Sequence, residues 1–304
     1  MIYSVINGVT LRMGRMLHMK DTIIKTLVYD KQVRLFLLDN TAMMNEIIHL
    51  NQGNHRVLNV ALGKLISGVS LLTATIKGEQ RISVTVSMSN PAYKIFADID
   101  AHGNVRGYAN ESLMHGIDEK SASVQDLIGK NASIRMIKGS NMNQFTGITD
   151  MPYQTIDDDL SHYFKQSEQV ETFIETNLAL NNENTVLGSY AMYAQLLPGA
   201  PVHLLHDIRE ILDTNSSFFQ KQTNMDIQET QNELRNYFSD IEIIGQSQVQ
   251  FSCGCSKEMF YGLLLSLDRE DLMEAVDDDR SMDTCCHICG RTYLFQPDEI
   301  KSIL

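Results

Sequence analysis

Five cysteines lie between residues 253 and 289, and the first 252 residues contain none. Four of them form two short motifs, Cys-Gly-Cys at 253–255 and Cys-His-Ile-Cys at 286–289. A secreted disulfide scaffold would distribute its cysteines through the fold to link separate segments. The clustering therefore favours a metal site in a protein of a reducing compartment.

The two motifs can present their sulfur atoms to one ion. Residues 249–252 predict a β-strand leading into the first motif, and residues two apart on a strand project from the same face. Gly290 follows the second motif and can adopt the left-handed conformation that leaves backbone N–H groups free for the sulfurs. These features predict a closed tetrahedral site for one zinc ion, with no open position for a substrate. Its predicted ligands are Cys253, Cys255, Cys286 and Cys289.

Other features of the sequence are weaker candidates for metal binding. Cys285 is the spare thiol, because its use in place of Cys286 would lengthen the two-residue gap of the second motif to three. His287 lies inside that motif, where a solvent-facing side chain is the simpler interpretation. The acidic triplets 157–159 and 277–279 could bind cations, but helix capping and solvation explain such clusters more often.

Composition excludes several function classes. Lys and Arg total 25 against 38 Asp and Glu, and the net charge of −13 repels nucleic acid and anionic lipid. No run of about 18 apolar residues predicts a membrane span. Phosphate-binding, His-Glu-x-x-His, Gly-x-Ser-x-Gly and dinucleotide-binding patterns are absent from the sequence. We therefore predict neither an enzyme nor a nucleic-acid or membrane protein.

Residues 22–200 predict one α+β domain. β-branched and aromatic residues alternate in short runs, which favours strands, and two hairpins are expected near residues 30 and 103. The predicted strands cover 23–29, 32–38, 82–88, 95–100, 105–110, 133–138, 145–149 and 186–197. Helices are predicted at 41–50 and 56–77, and the second is apolar over most of its circumference, so we expect it to be buried. After Pro152 we expect Asp157 to cap a helix over 160–168 and a further helical run over 171–179.

The remaining segments differ in character. Residues 201–245 are rich in Gln, Asn, Ser and Thr, and apolar residues seven apart (Phe218 to Met225, Ile227 to Leu234) predict a helical linker with a narrow apolar stripe. Helices of this kind are stable only when their apolar stripe packs against another part of the protein. The alternative interpretation is an ordinary pair of surface helices. Residues 246–304 form the predicted zinc-binding domain, with a helix over 257–267. Residues 1–21 are interpreted as an N-terminal extension, with a targeting peptide as the alternative.

With both cysteine motifs placed, the chain resembles the 33 kDa chaperonin family of redox-regulated heat-shock holdases. The resemblance extends from about residue 19 to residue 304. The segments that carry the resemblance are KTLVYDKQVRLFLLDNT (25–41), ALGKLISGVSLLTATIKGEQRISV (61–84), ADIDAHGNVRGYAN (97–110), LIGKNASI (127–134), QLLPGA (195–200), CGCSKE and CHICGRTYLF. Cys285 and residues 88–91, where the family usually has a Gly-rich turn, depart from the pattern.

The resemblance implies a cytoplasmic, ATP-independent chaperone that is inactive when reduced and zinc-bound. Oxidation would pair Cys286 with Cys289 and Cys253 with Cys255, release zinc and unfold the linker. The exposed apolar surface would then hold unfolding client proteins, commonly as a homodimer. Two alternatives remain: a constitutive binding protein with a purely structural zinc site, and a thiol oxidoreductase supported only by the adjacent Cys285 and Cys286.

Overall fold

The computed structural model describes residues 21–51, 55–117, 122–140, 143–215, 217–221 and 227–304. The strands are β1 Thr22–Val28, β2 Val33–Asp39, β3 Arg81–Ser87, β4 Lys94–Asp100, β5 Asn104–Ala109, β6 Ser133–Ser140, β7 Asn143–Asp150, β8 Thr172–Leu180, β9 Val186–Leu196, β10 Glu242–Gln248, β11 Gln250–Phe251, β12 Met282–Cys285 and β13 Thr292–Phe295. The helices are α1 Thr41–Leu50, α2 Arg56–Ser70, α3 Glu111–Gly116, α4 Val124–Ile128, α5 Ile156–Tyr163, α6 His203–Thr214, α7 Phe218–Lys221, α8 Ile227–Leu234, α9 Lys257–Leu264, α10 Arg269–Asp277 and α11 Pro297–Lys301. The predicted α+β class is confirmed.

Two sheets enclose the main core. One has the order β10-β1-β2-β9-β8 and the other β11-β5-β4-β3-β6-β7, and all of their pairings are antiparallel except that of β11 with β5. Helix α2 lies between them and contacts strands of both. Among the described residues, one helical stretch, Arg56–Thr75, is long and apolar enough to cross a membrane, but most of it is buried inside the protein. This burial is what the apolar circumference of the helix predicted.

The linker helices form a third layer. The side chains of α6 that face the five-stranded sheet are Leu204, Leu205, Ile208 and Leu212. They cover the outer face of β2, β8 and β9, where Leu35, Phe173 and Met192 belong to the same apolar cluster. Phe218 and Phe238, further along the linker, are 1% exposed. The predicted dependence of the linker on docking agrees with this packing, and Met225 lies outside the described residues.

Two predicted segments differ from the structure. Residues 171–179 were predicted as a helix, but residues 172–180 form strand β8. The side chains of Thr172, Ile174 and Thr176, at every second position, are buried, and β9 pairs with β8 along the whole length of β8. The helix predicted over 56–77 ends at Ser70 and continues as a 3-10 turn over Leu71–Thr75. Hydroxyl groups of Ser70, Thr73 and Thr75 donate to backbone carbonyls there, which competes with regular helix.

Other predictions were wrong in detail. Thr155, not Asp157, caps α5, and its hydroxyl accepts from the backbone N–H of Asp158. Asp157 is buried, pairs with Lys64 and accepts a hydrogen bond from Thr176, because the first turn of α5 packs against α2 and β8. The helix predicted over 257–267 ends at Leu264.

Strand β10 crosses the predicted boundary between the linker and the C-terminal module. It pairs with β1 from Thr22 opposite Gln248 to Leu27 opposite Glu242. The end of the helical linker is therefore a strand of the core sheet. The predicted N-terminal extension lies outside the described residues except for Asp21, whose carbonyl accepts from Val249 and whose carboxylate accepts from the backbone N–H of Met43.

Glu175 lies on the face of β8 that the linker covers. Phe173, two residues earlier on the strand, and Met192, opposite Glu175 on β9, both belong to the linker-facing cluster. Burial, together with the negative charge of Asp157, raises the pKa of Glu175 to about 7. Lys64 and Arg209 act in the opposite direction but do not offset these effects. The carboxyl group therefore ionises beneath an apolar layer as the pH rises through 7.

We expect Glu175→Gln to stabilise the protein at pH 8 but not at acidic pH. A carboxyl whose pKa is raised in the folded state contributes full stability below its ordinary pKa of 4.5, and this contribution is lost as the pH rises through 7. After allowance for solvent screening, the variant should gain about 1 to 2 kcal/mol in the free energy of unfolding at pH 8. Urea unfolding across the range from about pH 5 to 8 measures this.

The matched control is Glu183→Gln, in the exposed turn between β8 and β9. It should change the free energy of unfolding equally little at every pH. A gain for Glu175→Gln that is as large at pH 5 as at pH 8 would contradict the assignment.

Candidate metal centre

The first cysteine motif follows directly from strand β11. The strand ends at Phe251, and Ser252 donates its backbone N–H to the carbonyl of Val105 on the core sheet. Gly254 then takes a left-handed conformation with φ of +74°, which turns the chain between Cys253 and Cys255. The hydroxyl of Ser256 caps α9 by accepting from the N–H of Met259. A strand end and a helix start thus fix the two sulfurs from opposite sides.

The second motif is the turn between β12 and β13. Cys286 donates its backbone N–H to the carbonyl of Arg291, and Gly290 donates to the carbonyl of Cys286. Gly290 has φ of +74°, as the sequence predicted, and it lies against the backbone of Leu50 at the end of α1. A side chain at residue 290 would collide with that backbone. Glycine is therefore required both for the turn and for its docking on the core domain.

The four predicted sulfur atoms converge. All lie within 4.8 Å of one another, with Cys253 Sγ 3.7 Å from Cys286 Sγ and Cys255 Sγ 3.5 Å from Cys289 Sγ. Sulfurs at the corners of a tetrahedron around zinc, with bonds of about 2.3 Å, would be separated by about 3.8 Å. The arrangement can therefore hold a metal ion, and four thiolates are a set that zinc prefers.

The electrostatics of the cluster favour a cation. Burial raises the pKa of Cys253 to about 11 and also raises that of Cys289, and neighbouring thiols contribute. Burial acts in the same direction on Cys286, but N–H groups of Ile288 and Cys289 and the adjacent thiols more than offset it and lower its pKa. Four thiolates so close together repel one another, so full ionisation requires a compensating positive charge.

Polar side chains surround the cluster. The Tyr293 hydroxyl lies 3.0 Å from Cys255 Sγ and donates to the carbonyl oxygen of Cys255 at 3.1 Å. On the side of the core sheet, Arg106 Nη1 donates to the carbonyl of Cys253 at 3.3 Å. Sequence reasoning missed both residues. Tyr293 is 38 positions from Cys255 and Arg106 is 147 from Cys253, so no local pattern connects them.

The weaker candidates lie elsewhere. Cys285 is exposed and stands outside the group of four, and His287 is also exposed, as predicted. In the first acidic triplet, Asp159 accepts from the N–H groups of Tyr153 and Thr155, and Asp158 pairs with Arg209. In the second triplet, 277–279, Asp278 pairs with Arg280. These contacts account for Asp158, Asp159 and Asp278 without a cation.

Part of the module's core is built from the site itself. Cys286 and Cys289 are 4% and 0% exposed and pack with Phe260, Leu264 and Phe295. This cluster is small and separate from the two clusters of the core domain and linker. The module therefore depends on its cysteines for packing as well as for any metal.

The fold matches that of a solved chaperonin structure. A 33 kDa chaperonin from Thermotoga maritima has a solved structure that matches 93% of this chain and 97% of its own, with a TM-score of 0.72 at 17% identity. The chain belongs to the Hsp33 family, because the family model described as Hsp33 protein matches residues 21–296. It is therefore a chaperone, which binds unfolded client proteins, and it is not an enzyme.

Curated relatives agree with this assignment. The 33 kDa chaperonin of Halalkalibacterium halodurans is 27% identical over 289 residues, which cover 94% of this chain and 99% of the relative. The corresponding protein of Bacillus subtilis is 28% identical over 289 residues, covering 93% of this chain and 98% of the relative. The resemblance found in the sequence motifs is confirmed.

We expect Cys289→Ser to abolish high-affinity binding of one metal ion per chain, because it removes a fully buried member of the four-sulfur cluster. Cys285→Ser is the matched control, since it changes an adjacent thiol outside the cluster and should bind the ion normally. Titration of the reduced protein with cobalt(II), followed by the thiolate-to-cobalt absorption bands, measures this. Loss of binding in the Cys285 variant would contradict the ligand set.

Proposed function

We propose that this chaperone is switched on by oxidation of a zinc-thiolate site formed by Cys253, Cys255, Cys286 and Cys289. The observation that carries the proposal is the convergence of these four sulfurs within 4.8 Å inside the small core of the C-terminal module. Bound zinc keeps the four cysteines ionised, and the thiolate is also the oxidisable form of cysteine. One group thus serves as ligand and as sensor.

The chemistry of the switch balances with a peroxide or hypochlorite as oxidant. Four thiolates form two disulfides and release four electrons. Two molecules of hydrogen peroxide accept them with four protons and give four molecules of water, whereas hypochlorite gives chloride and water. Disulfide sulfurs no longer carry the negative charge that binds zinc, so the site loses its ion.

Family resemblance suggests the pairing of Cys253 with Cys255 and of Cys286 with Cys289. The shortest sulfur distances instead join Cys253 to Cys286 and Cys255 to Cys289. All pairs around one tetrahedral centre are nearly equivalent, so proximity in the reduced state does not select the pairing. Pairs that are close in sequence close the shorter loops once the site opens, which favours the proposed disulfides.

Loss of the site should destabilise the layers that depend on it. Structural zinc contributes about 10 to 16 kcal/mol of apparent binding free energy in small modules, so its loss can unfold one. We propose units at 1–21 (an N-terminal extension), 22–200 (core), 201–245 (linker) and 246–304 (redox-switch domain). Unfolding of the last would release the linker and expose the apolar face beneath α6 to client proteins, with a homodimer as the active form.

A cytoplasmic location suits this switch, because a reducing compartment keeps the thiols available for zinc. The net charge of −13 supports the absence of nucleic-acid and anionic-membrane partners. Reduced protein would hold one zinc ion per chain.

Suppression of citrate synthase aggregation should appear only after treatment with hypochlorite, or with peroxide and mild heat, and a reductant should reverse it. Zinc content and free thiols, measured in the same samples, should fall as suppression rises. The Cys285→Ser variant should switch normally. Equal suppression by the reduced protein would refute the switch, and retention of zinc through oxidation would favour a constitutive binding protein with a structural zinc site.

A further inference from the structure

Residues 242–251 form one extended stretch of chain, in which strand β10 belongs to one sheet and strand β11 to the other. Strand β10 pairs with β1 at the edge of the five-stranded sheet, and β11 pairs with β5 at the edge of the six-stranded sheet. Val249 connects them, is 3% exposed, and donates its N–H to the carbonyl of Asp21. A displacement at one end of this stretch can therefore be passed to the other sheet.

The end of the stretch nearest the cysteines is held by Arg106 of β5. Its Nη1 donates to the carbonyl oxygen of Cys253 at 3.3 Å, while its Nε lies 3.2 Å from a carboxylate oxygen of Asp98. Asp98 is directly opposite Arg106 on β4 and also pairs with Arg81 on β3. The guanidinium group is thus fixed on the sheet and aimed at the first cysteine motif.

The carbonyl that Arg106 binds belongs to the peptide unit between Cys253 and Gly254. A disulfide between Cys253 and Cys255 would close a small ring that contains this peptide unit. Closing that ring requires the backbone torsions between the two cysteines to change, because sulfur atoms must move from about 3.8 Å apart in a metal site to about 2.05 Å in a disulfide. We therefore expect the Cys253 carbonyl to rotate and its hydrogen bond with Arg106 to break.

We propose that Arg106 is a positioning residue. It couples the redox state of the Cys253-Gly254-Cys255 segment to the docking of residues 242–251 on the core domain, and these residues connect it to the linker. This inference rests on the proposed oxidation switch. In the reduced protein, Arg106 holds the zinc-site backbone and β11 against β5. On oxidation the Cys253 carbonyl turns away, β11 leaves β5, and β10 loses its anchor beside the linker.

Contacts on both sides of the stretch fit this role. Phe251 packs against the core of the main domain and against the core of the C-terminal module. At the other end, Ser239, three residues before β10, accepts a hydrogen bond from the N–H of Tyr29 in the β1–β2 turn. Phe238 of the linker cluster packs edge-on against the Tyr29 ring. Residues 242–251 therefore connect the cysteines to the linker within one stretch of chain.

The test compares Arg106→Met with Arg81→Met in reduced, zinc-loaded full-length protein. Both substitutions remove an arginine partner of Asp98, but only Arg106 contacts Cys253. Two quantities are measured without oxidant: the rate of zinc transfer to a chromophoric chelator and the amide hydrogen exchange of residues 242–252. Arg106→Met should increase both rates about three- to tenfold, the range expected for loss of one ordinary hydrogen bond, and Arg81→Met should leave them near wild type.

Wild-type protein provides a second measurement that does not depend on the folding of a variant. Amides of 242–252 should lose protection together when the cysteines are oxidised. The proposal is overturned if these amides stay protected in oxidised wild type, or if a folded Arg106→Met variant matches Arg81→Met in both rates. Failure of oxidised wild type to protect citrate synthase would instead refute the switch, while the comparison in the reduced protein would still decide the role of Arg106.

Discussion

The convergence of four thiols on one point is the constraint on which the C-terminal module depends. Buried thiolates repel each other, and burial alone raises the pKa of Cys253 and Cys289. A cation bound there would remove this conflict and at the same time fix two chain segments that are separated by 30 residues in sequence. Because Cys286 and Cys289 also fill the module's small core, a bound metal ion would stabilise the cysteine cluster and the packing of the module together.

The core domain has its own large apolar interior, whereas the linker depends on the core domain for its packing. The core domain encloses α2 between two sheets and has the largest apolar cluster. The described part of the linker is held by apolar side chains against the outside of the five-stranded sheet. Glu175 ionises beneath that face near neutral pH, so even the docked linker carries an opposing electrostatic contribution. The linker can therefore detach without unfolding the core domain, because the linker helices are stabilised mainly by their contacts with the sheet below them.

The extended stretch 242–251 connects these layers. Its strands β10 and β11 complete an edge of each sheet, and the stretch begins within the end of the linker and ends two residues before Cys253. Two further contacts, Arg291 with Glu46 and Gly290 with the backbone of Leu50, dock the second cysteine motif on α1. Each cysteine motif is thus attached to the core domain by its own short set of contacts.

Local spacing in the sequence was enough to predict the cysteine cluster, the fold class and most of the strands. Cys-x-Cys directly after a strand, Cys-x-x-Cys followed by Gly290, and alternating apolar residues are patterns within a few positions of one another. Three features could be seen only in the folded chain: residues 171–179 form a strand, Asp157 pairs with Lys64, and Arg106 contacts the carbonyl of Cys253. The reason is that sheet pairing, burial of charge and domain docking join residues far apart in the chain, about which local propensity carries no information.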